Sequence, residues 1–274
     1  MLKATTRARL IIISLKNKIK VNTNMQIAIL SDIHSNVYAL REVIKDIRNR
    51  DIEVVLNLGD MFYGPIEPRS TYELIRENKF INICGNQDRE ILEASLDQLE
   101  NNPTLKYVYE DLREEVLYWI QDLQFEKIIG GTYYMVHGTY FDDTQYLLED
   151  ISLGEVKLRS DEEIIKLTDD IKTPFIFCGH SHLPRVHKLN SGQIVINPGS
   201  VGLQAYEDEL PTKHKIENHT PDAAYTILTV EENQYSIEQV RVAYDFEKAA
   251  KKAEEKGRED WAYALREGKV INKK

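Results

Sequence analysis

The stretch 26–36, Q-I-A-I-L-S-D-I-H-S-N, passes from an apolar segment directly into acidic and imidazole side chains. In the run Gln26 to Leu30, the four residues after Gln26 are continuously apolar rather than alternating, which is typical of a strand buried on both faces of a sheet. Apolar residues at helical spacing then follow Asn36, which with Ser35 is well placed as a helix cap: Val37, Leu40, Val43, Ile44 and Ile47. A strand, a polar turn and a helix in this order indicate an α/β fold.

Four further apolar runs end in the same way. They cover 54–58, 80–84, 132–136 and 174–178, and they lead into the motifs L-G-D (58–60), C-G-N-Q-D (84–88), V-H-G (136–138) and C-G-H-S-H (178–182). In a layered α/β fold, ligand sites lie outside the carboxyl ends of the strands. We therefore expect seven side chains to converge at one edge of the fold: Asp32, His34, Asp60, Asn86, His137, His180 and His182.

The distribution of histidine supports a metal site. A single Asp after a strand is more often a helix cap, and a single His is more often a surface or core residue. However, four of the seven histidines of the chain fall in these motifs, which capping and core packing do not explain. Nitrogen and oxygen ligands without thiolate suit manganese, iron, zinc or nickel better than calcium.

In this order, the motifs D-x-H, G-D, G-N, H-G and G-H-x-H resemble those of the calcineurin-like metallophosphoesterases, and N-P-G-S at 197–200 extends the match. Together with hairpin-like runs at 187–196 and 224–242, the resemblance predicts a four-layer α-β-β-α sandwich, in which two mixed sheets are flanked by helices. It also implies two divalent metal ions, with manganese favoured over iron, zinc or nickel.

The resemblance assigns a role to each ligand. The first metal would be bound by Asp32, His34 and His182. The second would be bound by Asn86, His137 and His180, and Asp60 would bridge both. Two metal ions bridged by a carboxylate can contact one phosphate and acidify a water for in-line attack on phosphorus. The chain is thus predicted to be a metal-dependent phosphoester hydrolase that needs no protein nucleophile.

One position departs from the well-known phosphatases of the family. Gln87 follows the G-N motif, where those enzymes have a His that is thought to protonate the leaving oxygen. Because an amide cannot supply that proton, general-acid help worth about 100-fold to 10,000-fold is missing. We therefore expect phosphodiesters or nucleotide anhydrides, whose leaving groups are acidic, rather than alkyl monoesters.

Four consecutive residues are candidate substrate contacts: Asn86, Gln87, Asp88 and Arg89. The Gln87 amide could orient a phosphate oxygen or the attacking water, and Arg89 could add a charge-assisted contact. A salt bridge to Asp88 or a solvated helix start is the alternative for Arg89. Protein phosphatases of the resembled family have an arginine directly after the bridging Asp. The run D-M-F-Y-G-P at 60–65 has none, which argues against a phosphoprotein phosphatase and for the small bacterial and archaeal phosphodiesterase-like branch.

Three segments outside the motifs have a predicted place. Residues 89–126 contain two apolar helical faces around N-N-P, which indicates a helical insertion whose aromatics either cap the site or, as we prefer, pack the helices: Tyr107, Tyr109, Tyr118 and Trp119. His214 and His219 lie in a polar segment; one could replace the missing acid, although positions on a surface loop are favoured. Residues 245–268 are predicted to form a charged helix.

The bulk composition fits one domain over residues 25–274, preceded by a start-site extension or arm at 1–24, because Met25 directly precedes the first strand. A net charge of −10, without a basic tract inside the folded portion, disfavours nucleic acid as a partner. The apolar run at 10–13 is too short to span a membrane. Cys84 and Cys178 each precede a motif glycine and suggest core packing in a reducing, cytoplasmic setting.

Two other functions stay open at the level of sequence. One is a dinucleoside polyphosphate hydrolase, which uses the same metal chemistry on an anhydride. The other is a metal-binding scaffold that interacts with a partner and has degenerate activity. The seven intact ligands argue against the scaffold.

Overall fold

The computed structural model describes residues 24–232 and 234–271. The predicted extension or arm at 1–24 therefore lies outside the described residues, apart from Asn24, which begins the first strand. The strands are β1 (Asn24–Leu30), β2 (Val54–Asn57), β3 (Ile81–Asn82), β4 (Glu126–Ile129), β5 (Tyr133–Val136), β6 (Glu149–Asp150), β7 (Lys157–Leu158), β8 (Phe175–Phe177), β9 (Arg185–Lys188), β10 (Ile194–Asn197), β11 (Ala205–Asp208), β12 (His214–Glu217), β13 (Ala223–Glu231) and β14 (Gln234–Val242). The helices are α1 (Val37–Asn49), α2 (Pro68–Asn78), α3 (Asn86–Glu93), α4 (Leu96–Asn101), α5 (Pro103–Gln121), α6 (Asp161–Leu167), α7 (Phe246–Glu255) and α8 (Glu259–Glu267).

Two five-stranded mixed sheets form the centre of the fold. The first has the order β14-β13-β1-β2-β3, in which β1, β2 and β3 are parallel and β13 runs antiparallel to β1. The second has the order β4-β5-β8-β10-β9, in which β5, β8 and β10 are parallel. The pairs β11-β12 and β6-β7 form two small sheets of their own.

The apolar part of β1, residues 27–30, is buried on both faces of the sheet. Ile27 and Ile29 pack into the core shared with the second sheet, alongside residues such as Phe177. Ala28 and Leu30 belong to the core under the helices of the other face. A third core, which includes Ile164 of α6, covers the outer face of the second sheet. The predicted four-layer α-β-β-α sandwich is confirmed.

The first helix begins where the sequence predicts. The Asn36 side chain accepts a hydrogen bond from the backbone N–H of Ala39 at 3.1 Å, which makes Asn36 the cap of α1. The predicted apolar face of α1 is buried, including Leu40 and Val43. This helix lies directly after the first acidic motif, so it fixes the position of that motif against the sheet.

Most of the segment 89–126 is helical, and Tyr107 and Trp119 pack against neighbouring parts of the protein. The Trp119 ring lies edge-on to Phe62 and Tyr72, with centroids 5.9 and 5.4 Å apart. Tyr107 donates a hydrogen bond to the carbonyl of Ile66 at 3.0 Å, whereas Tyr118 is 61% exposed. These contacts favour the packing interpretation over a cap on the site.

The segment 245–268 forms two helices, α7 and α8, rather than the single predicted helix. Gly257 lies between the two helices and has a φ of +71°. This backbone conformation ends an α-helix, and residues other than glycine rarely adopt it. The turn lets α8 fold back against α7. None of the helices in the described ranges is long and apolar enough to cross a membrane.

Candidate metal centre

Strands of both sheets bring the seven predicted ligands to one edge of the sandwich. In the first sheet, Asp32 follows β1 and Asp60 follows β2, while Asn86 begins α3 after β3. In the second sheet, His137 follows β5, and His180 with His182 follow β8. These five strands end at the same edge, so side chains distant in sequence become neighbours.

Six of these side chains form two adjacent groups. In each group the ligand atoms lie within 4.8 Å of one another: Asp32, His34 and His182 in the first, and Asp60, His137 and His180 in the second. The groups are neighbours, because Asp32 Oδ1 is 3.4 Å from His182 Nε2 and 3.9 Å from His137 Nε2. Asp60 Oδ2 lies 3.4 Å from His137 Nε2.

A backbone carbonyl orients each of the four imidazoles. The nitrogens that face carbonyl oxygens are Nδ1 of His34 (Tyr63, 3.0 Å), Nδ1 of His137 (Leu58, 2.8 Å), Nδ1 of His182 (Leu203, 2.7 Å) and Nε2 of His180 (Thr144, 2.9 Å). Because a carbonyl only accepts, these nitrogens donate, and in a neutral ring the other nitrogen carries the lone pair. Such carbonyl contacts are typical of histidines that bind metals.

The arrangement of the free nitrogens fits a cation. His34 Nε2 and His182 Nε2 are 3.0 Å apart, so two lone pairs face each other at a distance that is repulsive unless a positive charge lies between them. Asp32 Oδ1, Asn86 Oδ1 and His137 Nε2 are buried and have no hydrogen-bond partner within the described part of the chain. Buried polar atoms are normally partnered, and metal ligation would satisfy these.

Burial and neighbouring charges set the protonation of the site. Burial lowers the pKa of His34 and of His180 to about 4, and the adjacent His182 and His137 rings contribute to this. Burial would also lower the pKa of His137, but the carboxylates of Asp60 and Asp32 outweigh it and raise the pKa to about 10. Binding of a metal by His137 would therefore displace a proton.

The backbone at the site is strained. Five of the seven predicted ligands have a positive φ: Asp32 (56°), His34 (48°), Asp60 (54°), His180 (66°) and His182 (57°). Residues other than glycine rarely adopt this left-handed backbone conformation, and those that do are concentrated at functional sites. Each of these turns redirects the chain just beyond a strand and aims the side chain at the common centre.

The glycines of the motifs allow the strand ends to approach one another. A Cβ on Gly85 would lie 2.2 Å from Asp60 Oδ1, and a Cβ on Gly179 would lie 2.1 Å from Ser31 Oγ. Neither position has room for any side chain. The G-D, G-N and G-H patterns are therefore a requirement of packing at the site, and not only of turn geometry.

The four candidate substrate contacts divide into two pairs. Asn86 and Gln87 line the cavity beside the ligands, and the Gln87 N–H donates to Asp60 Oδ1 at 2.9 Å. The Asp88 carboxylate accepts from the N–H of Met61 at 2.9 Å and of Gly85 at 3.2 Å. Burial, together with Asp60, raises the pKa of Asp88 to about 7.

Arg89 makes a bidentate ion pair with Asp143, at 2.8 and 2.9 Å, and a further pair with Glu93 at 2.9 Å. Arg89 is therefore held by salt bridges, as the alternative interpretation expected. Its partners are Asp143 and Glu93 and not the adjacent Asp88. Its guanidinium joins α3 to the loop after His137. The residues of this motif that face the cavity are Asn86 and Gln87.

A cavity of about 330 Å³ opens beside the predicted ligands. No motif in the sequence marks a large part of its wall. This wall comes from β11 and from the C-terminal segment: Tyr206, Glu207, Asp208, Arg258, Asp260, Trp261, Ala264, Val270 and Ile271. The Trp261 ring lies edge-on to the His34 ring, with centroids 5.8 Å apart. The one available signal was a tryptophan in an otherwise charged helix.

His214 is not on the surface, and the favoured prediction for this residue is wrong. It is 2% exposed because the β11-β12 hairpin turns it inward, and its Nε2 lies 2.8 Å from the Tyr146 hydroxyl. Tyr146 in turn contacts the Tyr206 hydroxyl at 2.5 Å, and Tyr206 donates to the carbonyl of His180 at 3.0 Å. His219 is exposed, as predicted.

Comparison with known proteins identifies the family. Residues 25–218, more than half of the chain, match the calcineurin-like phosphoesterase superfamily domain. A metallophosphoesterase from Sphaerobacter thermophilus shares 26% identity with a TM-score of 0.69, covering 89% of this chain and 99% of that chain. The chain belongs to this superfamily, and it is a metal-dependent hydrolase of phosphoric esters.

Two further relatives extend the comparison. An uncharacterized protein of Methanocaldococcus jannaschii is 29% identical over 257 residues, which covers 86% of this chain and 94% of the relative. A hypothetical protein from Pyrococcus horikoshii has a TM-score of 0.70 at 19% identity, covering 90% of this chain and 100% of that chain. The second likeness is one of fold alone.

Proposed function

We propose that this protein is a phosphodiesterase with a dinuclear centre. Asp32, His34 and His182 would bind the first metal ion, and Asn86, His137 and His180 the second, with Asp60 as the bridge. The observation that supports this best is the adjacency of the two ligand groups. Asp32 Oδ1 of the first group lies 3.9 Å from His137 Nε2 of the second. Manganese is the metal that we propose, on the family resemblance.

The bound metals would supply Lewis acidity to the phosphate and lower the pKa of the attacking water. The chain's own residues hold the geometry. Asp60 is fixed through Oδ1 by the Gln87 N–H, which leaves Oδ2 turned toward His137. Carbonyl contacts hold each imidazole with its other ring nitrogen toward the centre, which orients the four rings before a metal binds.

Gln87 sets the preference for the leaving group. Its side chain lines the cavity, and its Oε1 is buried without a hydrogen-bond partner among the described residues. The amide NH₂ can donate to a phosphate oxygen, but it cannot transfer a proton to a departing alkoxide. We therefore propose diesters with acidic leaving alcohols as substrates, ahead of alkyl monoesters.

Two properties outside the site support small substrates in a reducing compartment. The chain carries a net charge of −10, which disfavours nucleic acid. Both cysteines are free, and Cys178 is buried. We propose a cytoplasmic enzyme that acts on small phosphate esters.

Kinetics with model esters test the proposal. The metal-free protein would be loaded separately with Mn²⁺, Fe²⁺, Zn²⁺ and Ni²⁺ and assayed with bis(p-nitrophenyl) phosphate and phenyl phosphate. We expect metal-dependent turnover with a higher kcat/KM for the diester. Bound metal with no turnover of either ester, across all four metals, would instead support the metal-binding scaffold.

A further inference from the structure

The cavity has two unlike sides. One side consists of predicted metal ligands, including Asn86, together with Gln87. The other contains what we call the C-terminal wall, formed by Trp261, Ala264, Val270 and Ile271. Trp261 is 8% and Ala264 4% exposed, while Val270 and Ile271 are half-buried. All four lie beyond residues 25–218, so this surface is an addition to the part of the chain that matches the family.

The cavity has little positive charge to offer outside the metal ligands. Arg258 is the one Arg or Lys among the described residues that line it. Its guanidinium donates to both oxygens of Asp260, at 2.8 and 2.7 Å, and to Thr104 Oγ1 at 2.7 Å. Three of its five N–H groups are engaged in this way, its charge is paired with Asp260, and it lies 5.5 Å from the centroid of the Trp261 ring, so little of its charge is left for a further phosphate.

The exposed edge of the cavity is acidic. Glu207 and Asp208 both line the cavity and are exposed. Glu207 shares the Lys213 ammonium with Glu209, at 3.2 and 2.7 Å, so the group keeps a net negative charge. A second phosphate or a carboxylate on the substrate would meet these carboxylates without a compensating cation.

We propose, building on the proposed phosphodiesterase function, that the C-terminal wall binds the organic substituent of a diester with one phosphate, and that this site selects cationic or uncharged substituents over anionic ones. Trp261 and the aliphatic side chains provide apolar contact, and an aromatic ring beside carboxylates is a favourable environment for a substituted ammonium group. Dinucleoside polyphosphates, which carry several negative charges, are poor ligands for such a cavity.

Matched esters separate charge from shape. Four p-nitrophenyl phosphodiesters would be compared, with methyl, choline, 3,3-dimethylbutyl and 3-carboxypropyl as the second substituent; the choline and dimethylbutyl groups have the same shape and differ by one charge. We expect kcat/KM for these two to exceed that of the methyl ester by about 10-fold, and the carboxypropyl ester to fall below it. A carboxypropyl ester that is hydrolysed as well as the choline ester would overturn the proposal.

A binding measurement makes this test independent of turnover. The chain has two tryptophans, so Trp119→Phe leaves Trp261 as the single tryptophan fluorophore. Choline phosphate should change the Trp261 emission at a concentration about 10-fold lower than 4-phosphonooxybutyrate does. If no diester is hydrolysed but this order holds, the proposed activity fails and the selectivity stands. Equal concentrations for the two ligands would refute the selectivity.

A charge placed on the wall gives a further check. Ile271→Glu should lower the ratio of kcat/KM for the dimethylbutyl ester to kcat/KM for the methyl ester by about 10-fold. Ile128→Glu is the matched control, because Ile128 is 57% exposed on β4 and is not part of the cavity lining. Equal effects of Ile271→Glu on all four esters would contradict a role of the wall in binding the substituent.

Discussion

Asp60 uses its two carboxylate oxygens for different contacts. Oδ1 accepts the Gln87 N–H, and Oδ2 faces the His137 ring. Asp60→Asn keeps an acceptor for Gln87 but loses the charge that a bridge between two cations requires. We expect a lower metal content per chain and a fall in kcat/KM of about 100-fold or more. Metal analysis and diester kinetics measure the two effects.

Asp97→Asn is the control for this substitution, because Asp97 is an exposed residue of α4 and is not one of the ligands. It should leave metal content and kcat/KM unchanged. An Asp60→Asn variant that retains full metal content and full turnover would show that this carboxylate is not the bridge.

Gln87 is the residue at which a change of specificity is expected. Gln87→His places a proton donor beside the leaving oxygen, so monoester hydrolysis should gain about 10-fold or more relative to diester hydrolysis. The ratio of kcat/KM for phenyl phosphate and bis(p-nitrophenyl) phosphate measures the gain. Gln87→Met, of similar size and without a donor, should not raise the ratio. A ratio that stays constant in the His variant would exclude the proposed effect of position 87.

At the scale of elements, the ends of β2 and β3 meet at Gly85. A Cβ at this position would lie 2.2 Å from Asp60 Oδ1 and 2.4 Å from the Asp60 backbone nitrogen. Because backbone atoms cannot move away at low cost, Gly85→Ala should lower the free energy of unfolding by about 2 kcal/mol and weaken metal binding. Urea unfolding and metal titration of the same variant test both effects.

Gly130→Ala provides the comparison for this variant. Gly130 has a φ of +60°, and a Cβ added to it would have no neighbouring atom within 4 Å, so its cost comes from backbone conformation alone. It should leave metal binding intact. Equal losses of metal affinity in the two variants would show that close packing at Gly85 does not hold the site together.

The strands and motif positions could be predicted from sequence because their signals are local. Residues 27–30 of β1 are continuously apolar since both faces of this part of the strand are buried, and Asp32 and His34 follow shortly after it. The sequence pattern does not predict the division of 245–268 into two helices, because charged residues continue at helical spacing through Gly257. That break depends on the packing of α7 against α8, which is a tertiary contact.

At the scale of the whole molecule, residues distant in sequence complete the site. His214 is buried through a hydrogen-bonded chain to Tyr146, which lies 68 residues away. Trp261 contacts His34, although most of the sequence lies between these two residues. No local pattern marks such contacts, so the cavity wall could not be predicted, whereas the convergence of the motif side chains could.

Glu149 links the stability of the whole molecule to pH. Burial raises its pKa, and the hydrogen bonds from Ser181 and Arg185 offset this only in part. Because the folded pKa is higher than the unfolded one, the favourable contribution is complete below about pH 4.5 and is lost as the pH rises through the folded pKa. We expect Glu149→Gln to reduce this loss, by about 1.4 kcal/mol for each unit of pKa difference.

Urea unfolding of the metal-free protein between pH 4.5 and pH 8 tests the effect. Glu162→Gln, on the exposed side of α6, controls for removal of one negative charge and should follow the wild-type profile. A Glu149→Gln profile parallel to that of the wild type would show that Glu149 titrates normally.

The positions of bound manganese decide whether the seven ligands form one dinuclear centre. A crystal of the Mn²⁺-loaded protein would be measured for anomalous scattering at the manganese edge. We expect two peaks, one among Asp32, His34 and His182 and the other among Asn86, His137 and His180, with the Asp60 carboxylate contacting both. Metal bound at a different place, or a single peak in crystals of protein that turns over the diester at full rate, would contradict the dinuclear centre.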